Sequence, residues 1–479
     1  MMTRFDPKAF KRKHAVVLGL GRSGEAAAKL LLKKGFRVFG SDSRPRKELR
    51  RLASRLGKRF AFEGGGHSDR ILRAAFAVKS PGMHPDSPAL AKLRAAGIPV
   101  FSEMEVALAF LPEVELVAVT GTNGKTTTAA LTAAVFQAAR RRTHLLGNVG
   151  TPLAASASRI RKGDTVVLEV SSYQLEDSVF FRPDSSVILN ITSDHLEHHK
   201  TMQSYIAAKA RVFRLQDRSC CCVFNAADPL VLHLARSSRS RKLFFAREPS
   251  TRASAWIAGG KIRVRLPGEK KESALVPPAI PGVHNLENAM AAALLGFSRR
   301  VGSAAVARAF RKFKGVEHRI EDCGTVRGLR IVNDSKGTNV DSTLAALRAL
   351  ESEAGRLLLI LGGLPKGGGF APLRPLVEKT AKAVLTIGSA ARSIEGDLQG
   401  SIHVFPCETL ETAVEVAFKI GAKGDTLLLS PACASFDQFK DFEDRGRRFK
   451  EIVRKYATCA SRTSKRGAVR GRIRAARRR

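Results

Sequence analysis

Twice within the first 140 residues an apolar run of strand length breaks at a glycine loop and passes at once into a helical pattern. The first is "HAVVLGLGRSGEAAAKLLLKKG", beginning at His14, and the second is "VELVAVTGTNGKTTTAALTAAVFQAA", beginning at Val114. A buried strand, a glycine turn and a helix laid back over the sheet make the repeating unit of parallel α/β folds. The pattern continues: "FRVFGSD", "TVVLEVSS" and "SSVILNITSDH" read as strands of the first two units. "GLRIVNDS", "RLLLILGG", "KAVLTIGS" and "DTLLLSPA" read as strands of a third. Residues from about 240 to 282 read as shorter antiparallel strands that end in the rigid "VPPAIPG", before the helix "NLENAMAAALLGF". A chain of 479 residues is too long for one core, and three units suit its length.

Composition excludes several classes. No apolar run approaches the roughly 18 residues of a membrane span. The short run after the basic start is unlike a secretory signal, so a cytoplasmic location is expected. Seven cysteines, three of them adjacent at Cys220, Cys221 and Cys222, have neither metal spacing nor a disulfide framework and read as buried, reduced thiols. The net charge is +39, of which only nine belong to the basic tail from Arg462 to Arg479, so the excess is general. No base-reading motif or aromatic platform accompanies it, and a nucleic-acid partner is not expected. A weak contact of the tail with an anionic membrane stays open, and a monomer is expected.

"TGTNGKTTT", Thr120 to Thr128, nearly spells a phosphate-binding loop but has Val119 where the usual first glycine stands. Backbone N–H groups at a helix start attract anions without that glycine, and Gly121 and Gly124 let the chain turn around a phosphate, with Thr122 and Asn123 between them. Lys125 would reach the outer phosphates, and the hydroxyl of Thr126 or Thr127 would hold Mg2+. Ligands bind beyond the carboxyl ends of parallel strands, where Glu169, Asp194 and His195 end two neighbouring runs; Glu169 and His195 are candidate metal ligands. "GLGRSG", Gly19 to Gly24, with Asp42 ending the next strand, matches a dinucleotide fingerprint. NAD or any nucleotide diphosphate would satisfy it, although a second nucleotide site disfavours a simple dehydrogenase. In the third unit Asp334, Lys336 and Thr338, Lys366, and Ser435 lie on loops at strand ends, a clustering suited to a carboxylate-bearing substrate.

"TGTNGKTTT", "LEVSSYQLE", "SDHLEHH", "YIAAKARVF", "HNLENAMAA", "EHRIE", "NDSKGTNV" and "SPACASFDQFKDFEDRG" stand in the order found in the Mur ligases, and the chain resembles that family over about residues 14 to 456. It resembles most the branch that adds D-glutamate to UDP-N-acetylmuramoyl-L-alanine in peptidoglycan synthesis. The resemblance implies that ATP phosphorylates the substrate carboxylate and that the amine of D-glutamate attacks the acyl phosphate. It also accounts for Val119, since the family's loop reads TGTNGKT. It implies phosphate and Mg2+ contacts at Lys125 and Thr126, Glu169 as a companion ligand, His195 on a second Mg2+, and a carbamylated Lys209. Asn148 resembles the family's asparagine near the substrate. Asn285, Asn288, Arg319, Asp334 and Lys336 resemble contacts to adenosine and phosphate contributed across a domain seam, which would require closure of the third domain over ATP. Thr338, Lys366, Ser435 and Phe442 resemble the D-glutamate pocket. The "GLGRSG" loop would then take the uridine diphosphate end of the substrate, through Arg22 and Ser23, Asp42, Ser43 and Arg44, and Ser80.

Two departures stand out: Pro365 precedes Lys366 with no acid nearby, and Glu197 and His198 replace a common Asp-Arg pair. The diamino-acid enzymes' D-N-P-R motif is absent. Together these readings predict an α/β chain with a Rossmann-like substrate domain (1–112) and a central P-loop ATPase-type domain (113–315). A Rossmann-like amino-acid domain (316–457) and a basic tail (458–479) expected to be disordered complete it.

Overall fold

The structure, a computed structural model, describes residues 6, 10, 14–148, 150–280, 282–351, 356–365, 367, 369–400 and 402–457. Lys366 and the tail 458–479 lie outside these residues. Among the described residues the strands form three sheets.

The first holds β1 (His14–Leu18), β2 (Arg37–Asp42), β3 (Phe60–Gly64), β4 (Phe76–Lys79) and β5 (Val100–Ser102). Their order is 3-2-1-4-5 and all pairs are parallel. The second holds β6 (Glu115–Thr120), β7 (Thr143–Gly147), β8 (Thr165–Glu169), β9 (Ser185–Ile188), β10 (Cys221–Asn225), β11 (Arg241–Phe245), β12 (Ala255–Ala258), β13 (Lys261–Val264) and β14 (Ser273–Leu275). Its order is 14-13-12-11-10-9-6-8-7. The third holds β15 (Glu321–Val326), β16 (Leu329–Asn333), β17 (Leu357–Gly362), β18 (Ala381–Ile387), β19 (Val404–Glu408) and β20 (Thr426–Leu429), in the order 15-16-20-17-18-19.

Only part of 240–282 is antiparallel. β12, β13 and β14 form the expected meander, but β11 pairs parallel with β10. The helix Pro229–Ser237 supplies the crossover that a parallel neighbour requires, and Leu243 and Phe245 of β11 turn into the core. The three adjacent cysteines are buried in or beside β10; burial pushes the Cys221 thiol up to about 11 and Cys222 well above the usual value.

The chain divides into two compact units, one running to Ala279 and including His284–Phe313, the other comprising Ile280–Val283 and the chain from Lys314. The first unit contains the first two sheets. Ala26 and Leu30 from the helix Arg22–Lys33, with Met104 and Ala107, share a core with Leu153, Val166 and Leu168 of the middle sheet's side.

Polar groups fix this packing. Glu103 accepts from Ala154 N–H at 2.7 Å, and Glu105 accepts from Val179 N–H at 2.7 Å and from Phe180 N–H. Burial pushes both carboxyls up to about 7. Lys79, fully buried at the end of β4, places Nζ 2.6 Å from Glu176 and 2.6 Å from Asp177, beyond the end of β8. Lys79→Ala should cost about 3–5 kcal/mol, because two half-buried carboxylates lose their cation. Urea unfolding checks this; a loss below about 1 kcal/mol would mean that water solvates the acids.

Candidate active site

β6 delivers the chain to the loop Gly121–Gly124, and the helix Lys125–Ala138 carries it away. Gly124 caps that helix with φ +82°, and a Cβ there would fall 2.3 Å from Asn288 Oδ1, so only glycine fits without movement. Asn288 also accepts from Thr128 Oγ1 at 3.1 Å and donates to Asn285 at 2.9 Å. The expected pair Asn285 and Asn288 thus comes to the loop from the helix Val283–Ser298, as a buried brace. Thr122 N–H bonds Asn190 O at 2.9 Å and Asn123 N–H bonds Asn190 Oδ1 at 2.8 Å, which ties the loop to the chain beyond β9. Thr126 and Thr127 are buried on the first helical turn.

Lys125 Nζ donates to the carbonyls of Gly121 (3.0 Å) and Thr122 (2.7 Å). Lys209 Nζ, on the helix Met202–Ala210, is buried and reaches the same Gly121 oxygen at 2.7 Å. Burial first, and then the charge of Lys125, push the Lys209 amine well below the usual lysine value. Its neutral form is therefore accessible.

His195 takes a left-handed conformation at φ 56° as the cap of the helix Leu196–His199, and its Nδ1 lies 3.0 Å from Tyr173 Oη. Burial pulls its pKa down, with Asp194 opposing. Glu169 ends β8, in register with Val119 just before the loop. It is 3% exposed and accepts a long hydrogen bond, 3.3 Å, from Asn148 Nδ2. A buried carboxylate with a long partner still has lone pairs for a cation, and hydroxyl, carboxylate and imidazole suit a hard divalent ion; Thr126, Glu169 and His195 fit Mg2+ in chemistry. Among the described residues, neither Glu169 nor His195 belongs to the close three-ligand groups, which are Glu176 with His198 and His199, and Glu317 with His318 and Glu321.

A cavity of about 710 Å³ opens at the carboxyl edge of the first sheet and reaches the end of β7. Of the expected residues, Arg22, Ser23, Asp42, Ser43, Ser80 and Asn148 line it. Gly24 lets the helix start approach: a Cβ there would fall 1.9 Å from Gly19 O. Arg22 Nη2 donates to Gly150 O, and Ser80 Oγ donates to Gly19 O at 2.8 Å. Arg44 does not line the cavity. Its guanidinium is turned onto Asp42, with Nε at 3.0 Å and Nη2 at 2.9 Å. The sequence reading also missed His67, which lines the cavity after the glycine run "GGG" beyond β3; the general preference of ligands for loops at strand carboxyl ends points to it.

In the second unit Asp334 directly follows β16, accepts from Ser430 Oγ at 2.7 Å and from Ile320 N–H at 3.1 Å, and burial pushes its carboxyl up to about 6 against the charge of Arg319. The Nε of Arg319 is a buried donor that meets no acceptor. Lys336 Nζ stands 5.6 Å over the ring of Phe442, whose carbonyl accepts from Ser335 Oγ at 2.8 Å. Thr338 lies two residues on, with its N–H on Lys336 O at 2.8 Å, and Ser435 is buried. Arg445, unassigned from sequence, is fully buried; its Nη2 bonds the carbonyls of Ser335 at 2.9 Å and Cys433 at 3.1 Å. It braces the two loops that carry these residues.

Three family models match in succession: the Mur ligase MurD-like N-terminal domain over residues 13–102, the Mur ligase middle domain over 119–296, and the Mur ligase glutamate ligase domain over 318–433. The chain belongs to the Mur ligase family, ATP-dependent enzymes that form amide bonds. It is 44% identical over 459 residues to the UDP-N-acetylmuramoylalanine--D-glutamate ligase of Elusimicrobium minutum (strain Pei191), covering 94% of this chain and 99% of that one. It is 42% identical to the protein of the same name from Koribacter versatilis (strain Ellin345), covering 93% and 98%. Among solved structures it shares its fold with a UDP-N-acetylmuramate-alanine ligase from Thermotoga maritima (TM-score 0.59, 22% identity, 92% and 99% covered). A MurF ligase from Thermotoga maritima in complex with ADP is also similar (TM-score 0.56, 18% identity, 82% and 91% covered).

Gly124→Ala should destabilise the first unit by about 1–2 kcal/mol through its left-handed φ alone, before any clash. Thermal unfolding checks this, and Asn288→Ala in the same chain should restore the part of the loss that comes from contact with Asn288 Oδ1.

Proposed function

We propose that this chain joins D-glutamate to UDP-N-acetylmuramoyl-L-alanine, with ATP converted to ADP and phosphate, as a step of peptidoglycan synthesis. The near-full-length identity of 44% and 42% to two ligases named for that reaction supports the reading. The structural observation that carries it is the double position of Asn148. This residue lines the large cavity and also donates to Glu169, at the edge of the sheet where the lysine loop ends. An acid that reaches past Asn148 from the cavity therefore arrives beside the phosphate loop.

In this reading the loop amides from Gly121 to Gly124, with Lys125, hold the ATP phosphates, and Lys125 exchanges two carbonyl partners for an anion. Thr126, Glu169 and His195 would hold Mg2+, which offsets charge on the transferred phosphoryl group when bound. The substrate carboxylate attacks the terminal phosphorus and ADP leaves. The D-glutamate amine then attacks the acyl carbon, loses its proton, and phosphate departs. Asn285 and Asn288 keep the loop in shape. A neutral Lys209 can add CO2 through its nitrogen lone pair and release one N–H proton to solvent, and the resulting carbamate would present oxygen in place of a cation. Arg319, Asp334 and Lys336 are proposed as further ATP contacts, and Thr338, Ser435 and Phe442, with Lys366 outside the described residues, as the D-glutamate pocket. The uridine diphosphate end is assigned to Arg22, Ser23, Ser43 and Ser80.

ADP release is expected to need UDP-N-acetylmuramoyl-L-alanine and D-glutamate together, with L-alanine and diamino acids inactive. Turnover stimulated by DNA or RNA instead would overturn the assignment and favour a nucleic-acid-dependent NTPase. Lys125→Ala should lower kcat by at least about a hundred- to a thousandfold with an unchanged circular dichroism spectrum. Lys209→Ala should lose activity and regain part of it with added small carboxylates; no regain across formate, acetate and propionate would count against the carbamate.

A further inference from the structure

We propose that Glu176, His198 and His199 form a binding site for one divalent transition-metal ion of the zinc class, separate from the edge assigned to Mg2+. The ion would join the helix Ser172–Glu176 to the helix Leu196–His199, which His195 caps.

Carboxylate oxygen and imidazole nitrogen converge here from two elements. Glu176 closes the first helix, and its two oxygens are not equivalent: Lys79 Nζ takes Oε1 at 2.6 Å, while Oε2 is near both imidazoles. His198 Nε2 lies 2.9 Å from Oε2, and His199 Nδ1 lies 3.6 Å from it. One ligand atom from each of the three residues falls within 4.8 Å of the others. Bonds of about 2.0–2.1 Å to a tetrahedral ion set neighbouring ligand atoms about 3.3 Å apart, between those two distances. Both histidines are buried, and Glu176 is largely so.

The hydrogen bonds in place leave these atoms able to ligate. His198 Nε2 is 2.9 Å from each Glu176 oxygen. One N–H shared between two acceptors is straight to neither, and a hydrogen bond weakens as it bends. Moving that hydrogen to Nδ1 keeps the ring neutral and turns the Nε2 lone pair to an ion. His199 Nδ1 is too far from Oε2 for a hydrogen bond, whereas its Nε2 lies 2.9 Å from Ser172 Oγ. A metal-bound imidazole ordinarily anchors its other nitrogen in this way. Lys79 on Oε1 steadies the carboxylate as Ser172 steadies the ring.

A cavity of about 350 Å³, lined by these three residues and by Asp86, Lys200 and Arg211, gives water access to a remaining coordination position. Lys79 meets two carboxylates, Glu176 and Asp177, which leaves one negative charge to attract a cation against Lys200 and Arg211. Two imidazoles and a carboxylate suit Zn2+ and its neighbours, whereas Mg2+ demands oxygen. Tyr173 touches both sites: its ring lies 4.2 Å from that of His198, and its hydroxyl lies 3.0 Å from His195 Nδ1.

Titration of the full chain with Co2+, a coloured substitute for Zn2+, in a large excess of Mg2+ tests this. Wild type should take up one Co2+ per chain with visible d–d absorption and no sulfur-to-cobalt charge-transfer band, and Zn2+ should displace it. His199→Gln, and separately His198→Arg, should weaken uptake by at least about ten- to a hundredfold, the loss that removing even an outer partner of a ligand produces. His195→Ala should keep both the uptake and the spectrum. Zn2+ should raise the melting temperature of wild type and leave that of His199→Gln unchanged. A wild type that takes up no Co2+ under excess Mg2+ overturns the proposal whatever the variants do. So does uptake that survives in His199→Gln, a charge-transfer band that places the ion on cysteine, or uptake lost in His195→Ala alone, which places it at the nucleotide edge.

Discussion

The carbonyl oxygen of Gly121 receives two amines, Lys125 Nζ at 3.0 Å and Lys209 Nζ at 2.7 Å. One neutral acceptor does not offset two positive charges in a site as buried as that of Lys209, and their repulsion adds to burial in favouring the neutral form of Lys209. The loop's amides carry a further partial positive charge at the helix start. The charge of Asp194 opposes the shift of Lys209, and side chains at the middle sheet's edge hold the loop in place. Asn190 and Asn288 grip it from two sides, and Tyr205 Oη meets Thr122 Oγ1 at 3.0 Å from the helix that carries Lys209.

The cavity beside this edge belongs to two sheets, so its shape depends on how firmly they are joined. The joint is polar as well as apolar. Glu176 touches Lys79 of β4 and also His198 Nε2 at 2.9 Å, and the His198 ring lies against His84 at 5.2 Å, on the cavity wall. The site of an expected arginine is thereby turned into a structural contact. His198 completes a chain of contacts from the first sheet to the helix Leu196–His199, the element that also positions His195. Burial, against the opposing charge of Glu176, holds His199 down at about 4, so its ring is neutral near neutral pH.

Much of this was legible in the sequence because strand–loop–helix units announce themselves through buried runs and glycine. The lysine loop was readable without its first glycine, since Val119 is a fully buried residue of β6 and the turn is made by Gly121 and Gly124. β11 was misread as antiparallel because a half-buried strand of five residues looks the same in either direction; only the intervening crossover decides. His67 was invisible for a different reason. It sits in no motif, and its Nδ1 lies 2.7 Å from Ser41 Oγ, which the fold brings to it from 26 residues away.

Asp42 and Arg445 show why a motif residue is not by that fact a ligand contact. Both stand in stretches that resemble binding motifs, and both make several hydrogen bonds within the protein. Asp42 holds Leu20 and Arg44, so it shapes the glycine loop from beneath. Arg445, with its pKa pulled by burial to about 10, meets only carbonyls and a serine hydroxyl, Ser335 Oγ at 3.1 Å. A guanidinium in that position joins loops from separate strand ends through its rigid fork, which a lysine's single ammonium cannot reproduce. A binding rim on a parallel sheet is made of loops with few contacts of their own. Part of what such motifs encode is therefore the internal bracing that holds in place the loops carrying residues such as Ser43, Arg319 and Lys336.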